Sequence, residues 1–386
     1  MEFGLFVQCY LPRQRVEAEG PDAEHIALMN EVELIKTADQ HGWKYVWATE
    51  HHFLSEYSHL SANEVYLGYL AAVTKRIHLG SGIFNITPPV NHPVRVAERV
   101  AMLDHLSDGR FEFGTGRGAG SREVTGFDLP DTSVTKAMWD EVIGEFPKMW
   151  RTTEYRYQGK SFSVPHHADK RPTRNVLPKP WKKPHPPMWM AAGNPPTYEK
   201  AARHGLGVLG FNVGSVKEMA PMVRAYKDAI GEAVPIGDYV NDNVMITNSV
   251  ICLEDGKRAR EIARTMGNNY LQSLVFYYHD TFPKPDGVPV WPDVGPAPTA
   301  AEIERRIEGG YLLCGNPDEV LEQVKRYTEI GADQLVFGLP LNMGWDTAHE
   351  TIRLFGRHVI PKLDTDPVHR TTRFREAAAA KLASRG

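Results

Sequence analysis

Ile77-His78-Leu79-Gly80-Ser81-Gly82-Ile83-Phe84 opens a stretch that runs through a helical pattern from Val94 to His105. It ends in Gly109-Arg110-Phe111-Glu112-Phe113-Gly114-Thr115-Gly116-Arg117-Gly118. Ile77 to Gly80 is a short apolar run closed by glycine, the pattern of a buried strand. Val96, Val100 and Leu103 then recur on one helical face, and Phe111 to Gly114 repeats the strand pattern. A strand, a helix and a second buried strand in succession predict a unit of parallel sheet.

The same alternation extends in both directions. Upstream lie strand patterns at Phe3 to Cys9 and Tyr45 to Ala48. Downstream lie Met188 to Ala191, Val208 to Phe211, Val244 to Cys252 and Gln334 to Phe337. Between them fall helical patterns: Asp22 to Gly42, Asn63 to Thr74, Val134 to Trp150, Pro196 to His204, Val216 to Ile230, a stretch ending near Tyr278, and Thr347 to His358. Asn316-Pro317-Asp318-Glu319 is a further helix start, with a cap, a proline in the first turn and a capping-box glutamate. Eight strands, each followed by a helix, predict an α/β fold: a closed (β/α)8 TIM barrel with loop insertions, since an open doubly wound sheet usually has fewer strands. One domain over residues 1–386 is expected. Insertions fall at about 152–187, rich in Pro, Lys and aromatics, and at about 279–298, dense in proline. The tail 364–386 is alanine-rich from Arg373 on and is expected to be helical and peripheral.

Composition narrows the function. The chain has 386 residues, 42% hydrophobic and 24% charged, with a net charge of -4. That charge offers no basic excess for phosphate backbones, which argues against a nucleic-acid partner. No run of about 18 apolar residues spans a membrane. Met1 to Val7 reads as the first strand, so no secretory signal is expected. Cys9, Cys252 and Cys314 are scattered, without a disulfide or zinc pattern, and a reducing cytoplasm is the expected compartment.

In such a barrel, chemistry gathers at the C-terminal strand ends. Glu50-His51-His52 follows the second strand, and histidines there suit proton handling or packing. A metal reading is the weaker one, because adjacent residues of an extended strand point opposite ways and no HExxH is present. Glycines around Arg117 permit close ligand approach, and the guanidinium suits a phosphate, although a plain glycine turn with a surface arginine explains the same residues. Gly193, Asn194 and Thr197 lie where a helix begins, so they are phosphate contacts or ordinary caps. Gly80 and Gly82 leave room for a flat ligand or simply for packing. Tyr270, Phe276, Tyr277, Tyr278, Phe282 and Trp291 either line an apolar pocket or pack a core.

Taken in order, Glu50-His51-His52-Phe53, His92-Pro93-Val94-Arg95, Leu103-Asp104 with Gly109-Arg110-Phe111, Phe113-Gly114 with Arg117-Gly118, and Gly315-Asn316-Pro317-Asp318-Glu319 resemble the bacterial luciferase-like flavin-dependent monooxygenases, the luciferase α subunit in particular. The resemblance runs from Met1 to about Leu363. It implies a barrel that binds reduced FMN, with His51 as the catalytic histidine, accompanied by Glu50 and His52. It further implies Arg117 and Gly118 at the FMN phosphate with the turn Gly193, Asn194 and Thr197. Gly82-Ile83 is implied as a non-proline cis peptide against the flavin, and Glu123 as an acidic residue near it.

Departures from the family pattern are equally readable. The reactive cysteine of luciferase is replaced by Gly116, and a Glu-Ser pair by Gly193-Asn194, so light emission is not the expected activity. The loop Asn85 to Val90 is slightly longer. The expected function is a two-component FMN-dependent monooxygenase that inserts one oxygen atom from O2 into a small apolar or carbonyl substrate. Reduced flavin would come from a separate NAD(P)H:flavin reductase, since no dinucleotide unit is legible. A homodimer or higher homo-oligomer is expected. The alternatives are a deazaflavin-dependent oxidoreductase on the same barrel, which Glu50-His51-His52 disfavours, and a non-catalytic flavin-binding protein.

Overall fold

The computed structural model describes residues 1–211, 214–266, 270–282, 284, 286–339 and 343–384. Eight strands form the barrel: β1 Glu2–Val7, β2 Tyr45–Ala48, β3 His78–Ser81, β4 Phe111–Gly116, β5 Met188–Ala192, β6 Gly207–Gly210, β7 Val244–Asn248 and β8 Gln334–Phe337. Each pairs in parallel with the next, and β8 closes on β1 through the register Glu2↔Gln334 to Leu5↔Phe337. The eight-stranded α/β barrel expected from the alternation is therefore the fold. Side chains alternate across each strand. Tyr45 and Trp47 turn inward onto Trp189, Leu209, Met245 and Val336, while Val46 and Ala48 join the layer between barrel and helices.

Three boundaries depart from the sequence reading, each for a local reason. The pattern Val134 to Trp150 is two helices, Thr135–Val142 and Glu145–Arg151, broken at Gly144, a weak helix former. The pattern Val244 to Cys252 is also two pieces. Val244–Asn248 stays in the barrel, and Val250–Cys252 leaves it to pair with Leu313–Gly315. The helical stretch ending at Tyr278 is Gly256–Met266 and Tyr270–Tyr278, with 267–269 outside the described residues.

The tail is not peripheral. Its helix Arg370–Ala383 packs across the N-terminal ends of the strands. There Arg375 makes a two-pronged pair with Asp104 at 2.8 and 2.9 Å, both residues buried, and Thr371 donates to Glu112 of β4. Lys44, Glu2 and Asp364 extend this polar floor. The insertion at 152–187 spans both ends, its Phe162 ring 6.0 Å from His92 at the start of the helix Pro93–Leu106. It holds a small hairpin, Tyr157–Gln158 with Ser163–Val164, and then runs under the barrel, where Lys182 N–H donates to Asp104 at 3.0 Å.

Candidate active site

His51 leaves the end of β2, and its Nδ1 stands 3.1 Å from Oε1 of Glu123. Glu123 sits on the short helix Ser121–Thr125 beyond β4, and the same oxygen accepts the His52 N–H at 2.8 Å. Burial alone would raise the Glu123 carboxyl. The facing His51 ring and the His52 N–H outweigh it, so the group is held below its ordinary value. His52 turns the other way, as adjacent residues of an extended segment do, and its Nε2 lies 3.1 Å from Glu50 Oε1. Glu50 also accepts from the Asn91 side chain at 2.8 Å and the Asn85 N–H at 3.1 Å, tying the 85–91 loop to the end of β2. His51 thus faces a carboxylate that orients it, while Glu50 and His52 brace the wall.

The Gly82–Ile83 peptide is cis, and Asn63 Nδ2 bridges Ala48 O at 3.0 Å and Ile83 O at 3.3 Å beside it. The glycines of this region have packing reasons of their own. A Cβ on Gly80 would enter the Trp47 ring, and one on Gly116 would press on Ile83. Gly118 sits at φ +82, a turn conformation that favours glycine.

Arg117 follows β4, and its Nη1 donates to Thr132 O and Thr135 Oγ1, both at 3.0 Å. Among the described residues these are its only hydrogen bonds, so Nε and Nη2 remain. The helix Pro195–Arg203 starts nearby. Lys200 on that helix pairs with Asp140, whose charge also acts on Arg117. Its N-terminus is less open than the sequence reading expects. Pro195 and Pro196 carry no N–H, and Thr197 N–H is bonded to Asn194 Oδ1 at 3.1 Å in a complete capping box. Asn194 and Thr197 are therefore occupied as caps, with Gly193 exposed before them.

One feature escaped the sequence reading, and a second was foreseen only in its apolar character and in Tyr270. His279, at the head of the second insertion, is 2% exposed, and its ring lies 5.4 Å from that of His51. Burial, then the neighbouring His51, pushes it down to about 3, so it stays neutral. Thr281 donates to Ala119 O at 2.6 Å and Asp280 accepts the Ser121 N–H at 3.0 Å, so this insertion covers the Glu123 helix. No sequence spacing relates 279–281 to 119–123; only the closed barrel does. The second feature is a cavity of about 580 Å³ at the ends of β1, β7 and β8, walled by Phe6, Tyr57, Phe211, Tyr270 and Trp345. Of the aromatics singled out in the sequence, Tyr270 lines it, whereas Tyr277 and Trp291 pack on each other at 5.2 Å.

The profile described as luciferase-like monooxygenase matches residues 1–334. The alkanal monooxygenase alpha chain of Photorhabdus luminescens is 26% identical over 381 residues, covering 94% of this chain and 97% of that one. The oxygenase component of the flavin-dependent trigonelline monooxygenase of Acinetobacter baylyi is 23% identical over 376 residues, covering 96% and 98%. Among solved structures, the oxygenating constituent of 3,6-diketocamphane monooxygenase from Pseudomonas putida, in complex with FMN, superposes with a TM-score of 0.73. It is 19% identical and covers 94% of this chain and 98% of that one, a likeness of fold.

Proposed function

The chain belongs to the luciferase-like monooxygenase family, and from that premise we propose a two-component monooxygenase that uses reduced FMN and O2 to oxygenate an organic substrate. The observation that carries this reading is the His51–Glu123 contact at 3.1 Å, set at the strand ends beside the cis Gly82–Ile83 peptide.

The residues present fit a flavin mononucleotide. Arg117 has Nε and Nη2 left over next to the Gly118 turn, which suits two oxygens of a phosphate. The Thr197 hydroxyl and Gly193 border that position, although the cap leaves Arg117 the main holder. When bound, the reduced flavin would supply the electrons that activate O2.

The rest is the protein's work. Glu123 fixes the His51 ring through Nδ1, which leaves Nε2 to hold or release a proton toward the reacting centre. Glu50, His52 and Asn91 keep the 85–91 loop against β2. The segment His279 to Thr281, tied to Ala119 and Ser121, shields the histidine from water. Reduced FMN is proposed to arrive from a separate NAD(P)H:flavin reductase, in keeping with the trigonelline relative's description as an oxygenase component. Self-association is part of the proposal. Val65 and Tyr69 on the helix Asn63–Val73, with Met102 and Leu106 on the adjacent Pro93–Leu106, are exposed apolar residues.

Titration of the protein with FMN, riboflavin and deazaflavin F420 tests the cofactor, and oxygen-dependent product formation with reduced FMN tests the activity. Tight binding of F420 with none of FMN would replace this reading by the deazaflavin alternative.

A further inference from the structure

From the helix Pro93–Leu106, Arg99 reaches back toward the strand ends. Its Nη1 donates to Asn91 Oδ1 at 2.8 Å. The same nitrogen stands 3.3 Å from Glu64 Oε1 on the neighbouring helix Asn63–Val73, and both charged side chains are half-buried. A hydrogen bond with a charged donor is stronger than one between neutral groups. Arg99 thus anchors Asn91 to two helices.

Asn91 passes this contact on. Its Nδ2 donates to Glu50 Oε1 at 2.8 Å and to Asn85 O at 2.9 Å. A guanidinium only donates, while a carbonyl and an ionised carboxylate only accept, so all three partners favour one orientation of the amide. Hydrogen bonds in a chain polarise one another, and the guanidinium makes the Asn91 N–H a better donor. Glu50 needs such donors. Burial pushes its carboxyl up, while His52, the Asn85 N–H and the Asn91 amide pull it back. Beyond Glu50, Phe84–Asn85 pairs in parallel with Thr115–Gly116 of β4, just before Arg117. The run that starts at Glu64 and Arg99 therefore ends on two parts of the site, His52 and the turn that carries Arg117.

We propose that Arg99 is a positioning residue for the active site: through the Asn91 amide it fixes Glu50 and the 85–91 loop against the end of β2. The inference rests on the monooxygenase reading for what this wall encloses, while the bonds themselves do not depend on it. Because one nitrogen makes both contacts, Arg99→Lys keeps them with an ammonium in place of the guanidinium. Arg99→Met removes them at similar length.

Hydrogen exchange of the segment 85–91, read by mass spectrometry on the full chain, is the first measurement. Arg99→Met should speed exchange there about 10-fold, the low end for a charge-assisted bond, and Arg99→Lys should restore wild-type protection. Asn91→Ala should speed it likewise. Adding Arg99→Met to Asn91→Ala should change nothing further, because partners in one chain of bonds are not additive. Arg95→Met, on the same helix, breaks the surface pair with Glu98 and should leave the segment as it is. The second measurement needs no organic substrate: protein-bound reduced FMN is mixed with O2, and the return of the oxidised flavin band is followed. Arg99→Met should speed that return by a similar factor as water gains access, and Arg99→Lys should not. Unchanged exchange in Arg99→Met, or additive effects of the two substitutions, overturns the proposal. Faster exchange with an unaltered flavin return also overturns it, since Arg99 would then be structural alone. If wild type binds no FMN, the monooxygenase reading falls, and the exchange results decide by themselves whether Arg99 holds the loop.

Discussion

Glu123 and His51 lie 72 positions apart in sequence and meet at 3.1 Å, a carboxylate oxygen facing Nδ1. That contact gives the imidazole one orientation and leaves Nε2 outside it. His51→Ala should slow product formation by about 100- to 10,000-fold, the usual weight of a general acid–base group, with FMN affinity nearly intact. Glu123→Gln should cost less and should alter the pH profile, because the orienting charge is gone while the side-chain shape remains. A His51→Ala rate above about half of wild type would remove His51 from the proton step.

Arg117 should distinguish flavins by their phosphate. Charge-assisted contacts contribute about 1.5 to 3 kcal/mol, so Arg117→Ala should weaken FMN roughly 10- to 100-fold. Riboflavin, which lacks the phosphate, should bind the variant and wild type alike. Fluorescence quenching titrations give both constants, and an equal loss for the two flavins would refute a phosphate role.

The protein alone should oxidise NADH negligibly with FMN present, and an unrelated flavin reductase should restore product formation. Anaerobic stopped-flow mixing of the FMN complex with NADH is the direct check. Rapid bleaching of the oxidised flavin band would mean that this barrel takes hydride itself.

Arg375 and Asp104 are both buried, so removing one partner leaves an uncompensated charge. Arg375→Ala should therefore destabilise the fold by about 3 to 5 kcal/mol. Thermal denaturation measures this, and a negligible change in melting temperature would show the tail to be dispensable.

Two buried carboxyls also predict a pH trend. Burial pushes Glu112 up to about 8, against its bonds from Thr371 and Trp189, and burial pushes Glu31 up to about 7. Folding then favours the protonated carboxyls. Their contribution to stability is fully present below the ordinary value of 4.5 and is lost as pH rises through about 7 to 8. Glu123, held low, acts in the opposite sense and loses its contribution only in acid. The melting temperature should fall between about pH 5 and pH 8, and Glu112→Gln should flatten part of that slope. An unchanged slope in the variant would exclude Glu112 as its source.

The barrel was legible because buried strands and amphipathic helices carry local periodicities, and eight alternations admit few closed arrangements. Pattern alone placed His51 and Arg117 at strand ends for the same reason. The turn from Gly193 to Thr197 was legible only in part. In sequence, Asn194 and Thr197 read equally as contacts or caps, and the bonds between them, together with the missing N–H groups of Pro195 and Pro196, make them caps. Gly80 and Gly116 likewise carry two readings in sequence, and Trp47 and Ile83 packed against them supply the physical reason for glycine.

By itself, then, the sequence determined the parallel barrel, its strand ends and the family to which the residues there belong, because each follows from short-range pattern. Only the tertiary structure decided that Glu123 orients His51, that His279 lies beside it, and that the tail forms a buried floor. Partners 72 to 271 residues apart are joined by barrel closure, and separations of that kind leave no periodic trace in the chain.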